Sequence, residues 1–91
     1  MKVKQIWIIY DDDSNAITAP TWEAVIYGWI DKWRVTGDAT LVFDEALNEW
    51  RSLKDMWGDD WQSVLIALSN RDFNDLFDTQ FYTEQIPYYE E

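Results

Sequence analysis

Thr21 to Arg34, TWEAVIYGWIDKWR, decides how this chain folds. Trp22, Val25, Ile26, Trp29, Ile30 and Trp33 recur at the spacing of one face of an α-helix, while Glu23, Lys32 and Arg34 fall off it. Thr21 can accept a hydrogen bond from the first free amides, and Pro20 stiffens the approach. Each tryptophan on that face can bury roughly 150–250 Å². The helix is expected to run to about Thr36, with Gly37 as its stop.

On the N-terminal side, Lys2–Tyr10, KVKQIWIIY, reads as a strand closed by the turn-rich DDDSN. Its second half, Ile6–Tyr10, is continuously apolar and is expected to be covered on both faces. On the other side, Thr40–Phe43 is short and suits either a second strand or the lead-in to a helix. Asp44 suits an N-cap for a helix through about Trp57, with Ala46, Leu47, Trp50, Leu53 and Trp57 on one side and Gly58 ending it. Asp59 or Asp60 would cap a third helix striped by Trp61, Val64, Leu65 and Leu68, with Asn70 as its terminator. A further helical turn or two over Asp72–Asp78 carries Phe73, Leu76 and Phe77. The segment from Thr79 is extended, and Pro87 confines it to a sheet edge or a loose end. A strand needs a partner: Thr40–Phe43, Gln80–Ile86, or the same strand in a second copy must pair with Lys2–Tyr10. These elements describe one α+β domain over residues 1–91, with three to four helices and two or three short strands. An all-α fold with an extended N-terminal arm is the alternative.

Composition narrows the chemistry. The chain has 91 residues, 47% of them hydrophobic and 18% aromatic, which argues for a folded core despite the charge. With no cysteine there is no disulfide and no thiolate zinc site; with no histidine there is no imidazole base. Asp11, Asp13 and Asn15 match the first ligands of an EF-hand loop, but Ala16 takes the glycine position and Trp22 the closing carboxylate, so no metal site is expected there. No phosphate-binding glycine loop or nucleophile elbow is present. The expectation is a protein without catalysis and without cofactor. No apolar run reaches the roughly 18 residues of a bilayer span, and no signal-type segment is visible, so a soluble cytoplasmic protein is expected.

The net charge is −11, of which only −1 lies in residues 1–37 and −10 in residues 38–91. That surface repels nucleic acid and anionic lipid and favours basic proteins. The acids fall at helical spacings, Glu45 with Glu49, Asp55 with Asp59, and Asp72 with Asp75 and Asp78, so like charges would sit about 5–6 Å apart at Cβ. Their plain reading is a solvated face; their functional reading is a coarse imitation of a phosphate backbone. Aromatic residues stand among them, and aromatic anchors ringed by charge suit a binding face. Asp55, Asp59, Asp60, Trp61, Asp72, Asp75 and Asp78, with Tyr88 and Tyr89 past Pro87, are therefore the candidate partner-binding residues.

In size, acidity and lack of catalytic residue types the chain resembles the small acidic inhibitors that phages encode against host nucleases, anti-restriction and anti-CRISPR proteins among them. Those occupy a DNA- or RNA-binding groove. The resemblance is one of class and carries no motif. It implies a basic nucleic-acid-binding protein as partner, no direct contact with nucleic acid, and residence in the host-cell cytoplasm. Locally, Trp57-Gly58-Asp59-Asp60-Trp61-Gln62-Ser63-Val64-Leu65 is similar to the aromatic–Gly–x–Asn–aromatic–Asp–Ala–Leu segment of barstar-type ribonuclease inhibitors. Asp60 replaces that family's Asn, and Gln62 and Ile66 stand where its two nuclease-facing aspartates would be. This likeness also implies an acidic nuclease inhibitor. The competing expectation is an assembly adaptor, a homodimer through the N-terminal strand or the tryptophan face.

The helix at Thr21–Arg34 is the first point of test. Trp29→Ala is expected to cost about 3–5 kcal/mol of the ~5–15 that a small domain holds. Denaturant unfolding measures this, and a midpoint near wild type would make the helix peripheral.

Overall fold

The computed structural model describes residues 2–11, 13, 15–77 and 81–90. Among them run β1 (Lys2–Asp11), β2 (Ala16–Ala19), α1 (Trp22–Lys32), β3 (Leu41–Asp44), β4 (Glu49–Ser52), α2 (Leu53–Trp57), α3 (Trp61–Ala67), α4 (Asn70–Leu76) and β5 (Phe81–Glu90). This is an α+β domain, with five strands where two or three were expected. They form two antiparallel sheets, β2-β1-β5 and β3-β4.

The β-branched run of β1 takes the central place. Ile9 faces Ile17 on one side and Thr83 on the other, and Trp7 faces Ala19 and Gln85. β5 supplies the required partner and lies at an edge of the sheet, where Pro87, opposite Gln5, is tolerated. β1 is flanked on both sides only over Trp7–Tyr10. β2 spans only Trp7–Tyr10 of β1, so Lys2–Ile6 and Ile86–Glu90 continue as a two-stranded ribbon. That extension accounts for a molecule 50 × 24 × 22 Å in extent.

Helix α1 packs on one face of this sheet. Thr21 caps it by accepting from the Ala24 amide at 3.2 Å. Val25, Ile26 and Trp29 are buried, and Trp22, Ile30 and Trp33 pack against the same core. The tryptophan face is thus consumed inside the molecule. α1 stops at Lys32, short of the expected Thr36. Arg34 adopts a positive φ of 50°, and the amides of Arg34 and Val35 return to the carbonyls of Asp31 and Ile30. This is a Schellman closure made without glycine, and it places buried Val35 at the end of the helix. Gly37 serves packing instead: a Cβ there would lie 2.6 Å from Trp61 Nε1 and 3.0 Å from Lys54 Cβ.

The expected long helix from Asp44 does not form. Asp44 does accept from the Ala46 and Leu47 amides, but in a hairpin turn closed by Asn48 at φ 53°. β4 then pairs with β3, Val42 opposite Arg51 and Phe43 opposite Trp50. Only Leu53–Trp57 is helical, capped by Ser52 and ended by Gly58 at φ 71°. A 3-10 turn over Gly58–Asp60 leads into α3, with no side-chain cap from Asp60. Asn70 begins α4 instead of ending α3, because Ser69 accepts from the Asp72 amide and caps the new helix.

The expectation that Ile6–Tyr10 is covered on both faces also fails. Trp7 and Ile9 point to α1, and Ile9 is fully buried. Ile6, Ile8 and Tyr10 alternate to the other face, beside Ile86, Glu84 and Tyr82, and are only half-buried. The rings of Tyr10 and Tyr82 meet edge to face at 3.9 Å. Partial burial, then Glu84 and Tyr82, hold the Tyr10 hydroxyl above its ordinary pKa. The two faces make opposite forecasts for neighbouring residues. Ile9→Lys should unfold the domain, because it buries an unpaired ammonium, whereas Ile8→Lys should leave a cooperatively melting protein. Thermal melts by circular dichroism separate them, and equal loss in both variants would refute the one-sided sheet.

Candidate functional site

Helix α4 presents three different faces. Phe73 and Phe77 enter the core, where Trp29 meets Phe73, Phe77 and Phe81 edge to face at 5.2, 5.1 and 5.5 Å. Asn70 and Asn74 turn to β5. The Asn74 carboxamide accepts from the Thr83 amide at 2.7 Å and donates to the Thr83 carbonyl at 3.1 Å, as a neighbouring strand would. The Thr83 hydroxyl bonds to Asn70 and Asn74, so the one buried polar residue among those described is satisfied. The third face, Asp72, Asp75 and Leu76, is left to a groove.

That groove, of about 920 Å³, lies between α4 and the β3–β4 hairpin. Its inner wall is aromatic, formed by Trp29, Trp33, Phe77 and Phe81. The hairpin contributes Leu41, Phe43 and Trp50, which are 53, 39 and 62% exposed, and Glu45 from its turn. Phe43 and Trp50 support each other edge to face at 5.6 Å. Glu45, Asp72 and Asp75 are its charged residues, and no Lys or Arg is among the described residues that line it.

The other acids of the C-terminal part are engaged differently. Arg51 donates to Asp44 at 2.9 Å and to the Asp55 carboxylate at 3.0 Å, with a third bond to the Asp55 carbonyl. Lys54 stands 3.7 Å from Asp59. These cations offset the acids beneath the hairpin and none of those in the groove. Among the predicted site residues, Asp72 and Asp75 therefore come together in the groove. Asp55, Asp59, Asp60 and Trp61 do not line it; the Trp61 indole instead covers Gly37. Asp78 lies outside the described residues. Tyr88 and Tyr89 stand in register opposite Lys4 and Val3, and their side chains lie outside the described set.

Sequence reasoning missed Glu45, Leu41, Phe43 and Trp50 because it placed most of that stretch on a helix. The available signal was Asn48, which tolerates a positive φ, between two aromatic residues able to pair across a hairpin. Asp11, at the end of β1, is also engaged: its Oδ1 accepts from the amides of Asp13 and Asn15, and its Oδ2 from the Trp33 indole at 3.3 Å. Burial raises the Asp11 pKa, but the bonds from Asn15, Asp13 and Trp33 outweigh it and leave the carboxyl below its ordinary value.

No known protein family, curated protein or solved structure matches the chain. No helix among the described residues is long and apolar enough to cross a membrane.

The hairpin wall of the groove depends on ionised Asp44. The Arg51 hydrogen bond, opposed by partial burial and helped by the Leu47 and Ala46 amides, holds its carboxyl below the usual range. The unfolded carboxyl protonates near about 3.9, so the stabilisation is complete above that value and is lost as pH falls through the lower folded one. The gap in urea midpoint between wild type and Asp44→Asn is expected at about pH 6 and should narrow as pH falls below about 4. A gap independent of pH would assign the effect to something other than this carboxylate.

Proposed function

We propose that this protein is a non-catalytic acidic inhibitor that binds the basic nucleic-acid-binding surface of another protein, a nuclease or a restriction or CRISPR effector, and blocks its substrate. The observation that carries this reading is the groove: Glu45, Asp72 and Asp75 around an aromatic wall, with no cation among its described lining residues. Carboxylates held on pre-formed elements pair with Lys and Arg that otherwise hold phosphates, and the long-range field of a chain at −11 speeds the encounter. Exposed Trp50 supplies the apolar anchor that a charged rim alone lacks. In this reading the protein works in the cytoplasm of the cell that holds its target and touches no nucleic acid.

A second reading, self-association as an assembly adaptor, draws on the outer face of β1 and β5, where Ile6, Ile8, Tyr10, Tyr82 and Ile86 have no covering layer among the described residues. Sedimentation separates the two: apolar self-association is indifferent to salt and should disappear in Ile8→Lys.

The inhibitor reading is tested by competition with duplex DNA or RNA for basic nucleases across a salt series. Asp72→Asn with Asp75→Asn should weaken binding and flatten its salt dependence, while the fold survives or gains slightly from relief of i,i+3 repulsion. Asp59→Asn with Asp60→Asn is the control at acids outside the groove. A loss confined to that control would place the functional face elsewhere.

A further inference from the structure

We propose that the outer face of β1 and β5 closes on the same face of a second copy, sheet against sheet, about a two-fold axis that crosses the strands at Ile6 and Ile86. This rests on the self-association reading above and names the orientation of the partner: each strand lies over its own counterpart and runs the opposite way.

The face is set apart by charge as well as by apolarity. α1 and α4 meet the sheet from its inner side, and Ile6, Ile8, Tyr10 and Ile86 take no part in the core. β2 adds only Ala16 and Thr18, opposite Tyr10 and Ile8. The alternation that brings Ile6 and Ile8 to this face gives its remaining positions on β1 to Lys2 and Lys4, and those on β5 to Tyr82, Glu84, Tyr88 and Glu90. Two lysines thus balance two glutamates, in a chain that is −11 overall. A basic partner finds no surplus of acid there, and nucleic acid and anionic lipid are repelled by the chain as a whole. A second copy finds a face that is apolar at its centre and neutral in sum.

The order of the charges selects the orientation. Lys4 stands two residues before Ile6, and Glu84, opposite Ile8, stands two residues after it. A two-fold axis at Ile6 exchanges those rows, so position 4 of each copy meets the row of Glu84 in the other. Position 2 likewise meets the row of Tyr10 and Tyr82, where an ammonium finds aromatic rings. Ile6 and Ile86 meet themselves, as an isologous contact requires. Strands stacked in the same direction would instead bring the Lys4 rows together and the Glu84 rows together. Facing sheets lie about 10 Å apart and within about 30° of each other, which keeps the exchanged rows within reach. None of the residues on this face lines the groove, so both grooves stay open in the dimer.

The experiment is analytical ultracentrifugation over a concentration series at about 0.15 M salt, where a screening length of about 8 Å subdues the net charge. The samples are the wild type, Lys4→Glu, Glu84→Lys and Ile8→Lys, each checked for a cooperative melt by circular dichroism. The wild type is expected to dimerise reversibly, and Ile8→Lys to remain monomeric. Lys4→Glu and Glu84→Lys should each weaken the dimer about tenfold or more, because symmetry sets like charges together twice. An equimolar mixture of those two variants should recover the wild-type affinity, since both contacts of the mixed pair are again opposite in sign. A contact within one chain cannot produce that recovery, because Lys4 and Glu84 stand four residues apart along the strands, roughly 13 Å. A wild type that stays monomeric up to about 1 mM overturns this arrangement and the self-association reading together. So does a dimer that survives Ile8→Lys. A dimer that Ile8→Lys abolishes, but whose charge variants do not recover on mixing, overturns the arrangement and leaves self-association standing.

Discussion

The contact on which the rest of the structure depends is the Trp29 ring with Phe73, Phe77 and Phe81 around it. Those four side chains belong to α1, to α4 and its end, and to the start of β5, so one aromatic cluster joins three separate parts of the chain. Every ring pair is edge to face or tilted, the arrangement that the quadrupole favours. A domain of 91 residues without cysteine has no crosslink to compensate for a weak core, so large rings at the junction supply burial that smaller side chains could not. The same cluster fixes the azimuth of α4. With Phe73 held by Trp29 and Asn74 latched to Thr83, Asp72 and Asp75 have one direction left to face, and that direction is the groove.

Much of this frame was legible in the residues. The period of α1, its Thr21 cap, the β-branched run of β1 and the need of that strand for a partner, Gln80–Ile86 being one of three candidates, all follow from local chemistry, and local chemistry is what decided those elements. The stretch from Asp44 to Trp50 is different. Glu45, Ala46 and Leu47 favour a helix on their own, and Asp44 is a good cap for one. The same Asp44 oxygens serve equally in a hairpin turn. What decides between them is distant: Val42 fills the core, and Arg51 has to reach both Asp44 and Asp55, neither of which a window of helical spacing can register. The shortening of α1 has a similar origin, since Val35 is buried and Arg34 takes the left-handed conformation that brings it there.

The site was half legible for the same reason. Asp72 and Asp75 were visible because their helix forms, and their i,i+3 spacing survives folding. Glu45 and Trp50 were invisible because Asp44–Trp57 reads as a helix, on which they could not have faced α4 together with Phe43, in a segment that suits either a strand or the lead-in to that helix. One misassigned element thus accounts for both the additional strand β4 and the missing wall of the groove. Asp55 and Asp59 looked equivalent to Asp72 in sequence, but Arg51 and Lys54 lie next to them in space. Charge counts along a chain do not distinguish an acid that already has its cation from one that lacks it.

That division bears on what the groove is for. Like charges at i,i+3 cost a few tenths of a kcal/mol. Aromatic and aliphatic side chains exposed as widely as Trp50 and Leu41 give no folding benefit in return. In a marginally stable domain such departures from self-consistency are expected where function requires them, and scattered at random where it does not. Here the acids at i,i+3 and the exposed side chains share one concavity. Arg51, by contrast, gathers the acids beneath the hairpin into bonds of 2.9 and 3.0 Å, so the fold is able to neutralise its carboxylates where stability alone is at stake. That Glu45, Asp72 and Asp75 stand beside an aromatic wall with no Lys or Arg among the described lining residues supports the proposed partner that brings the positive charge over a surplus of acid distributed without a role.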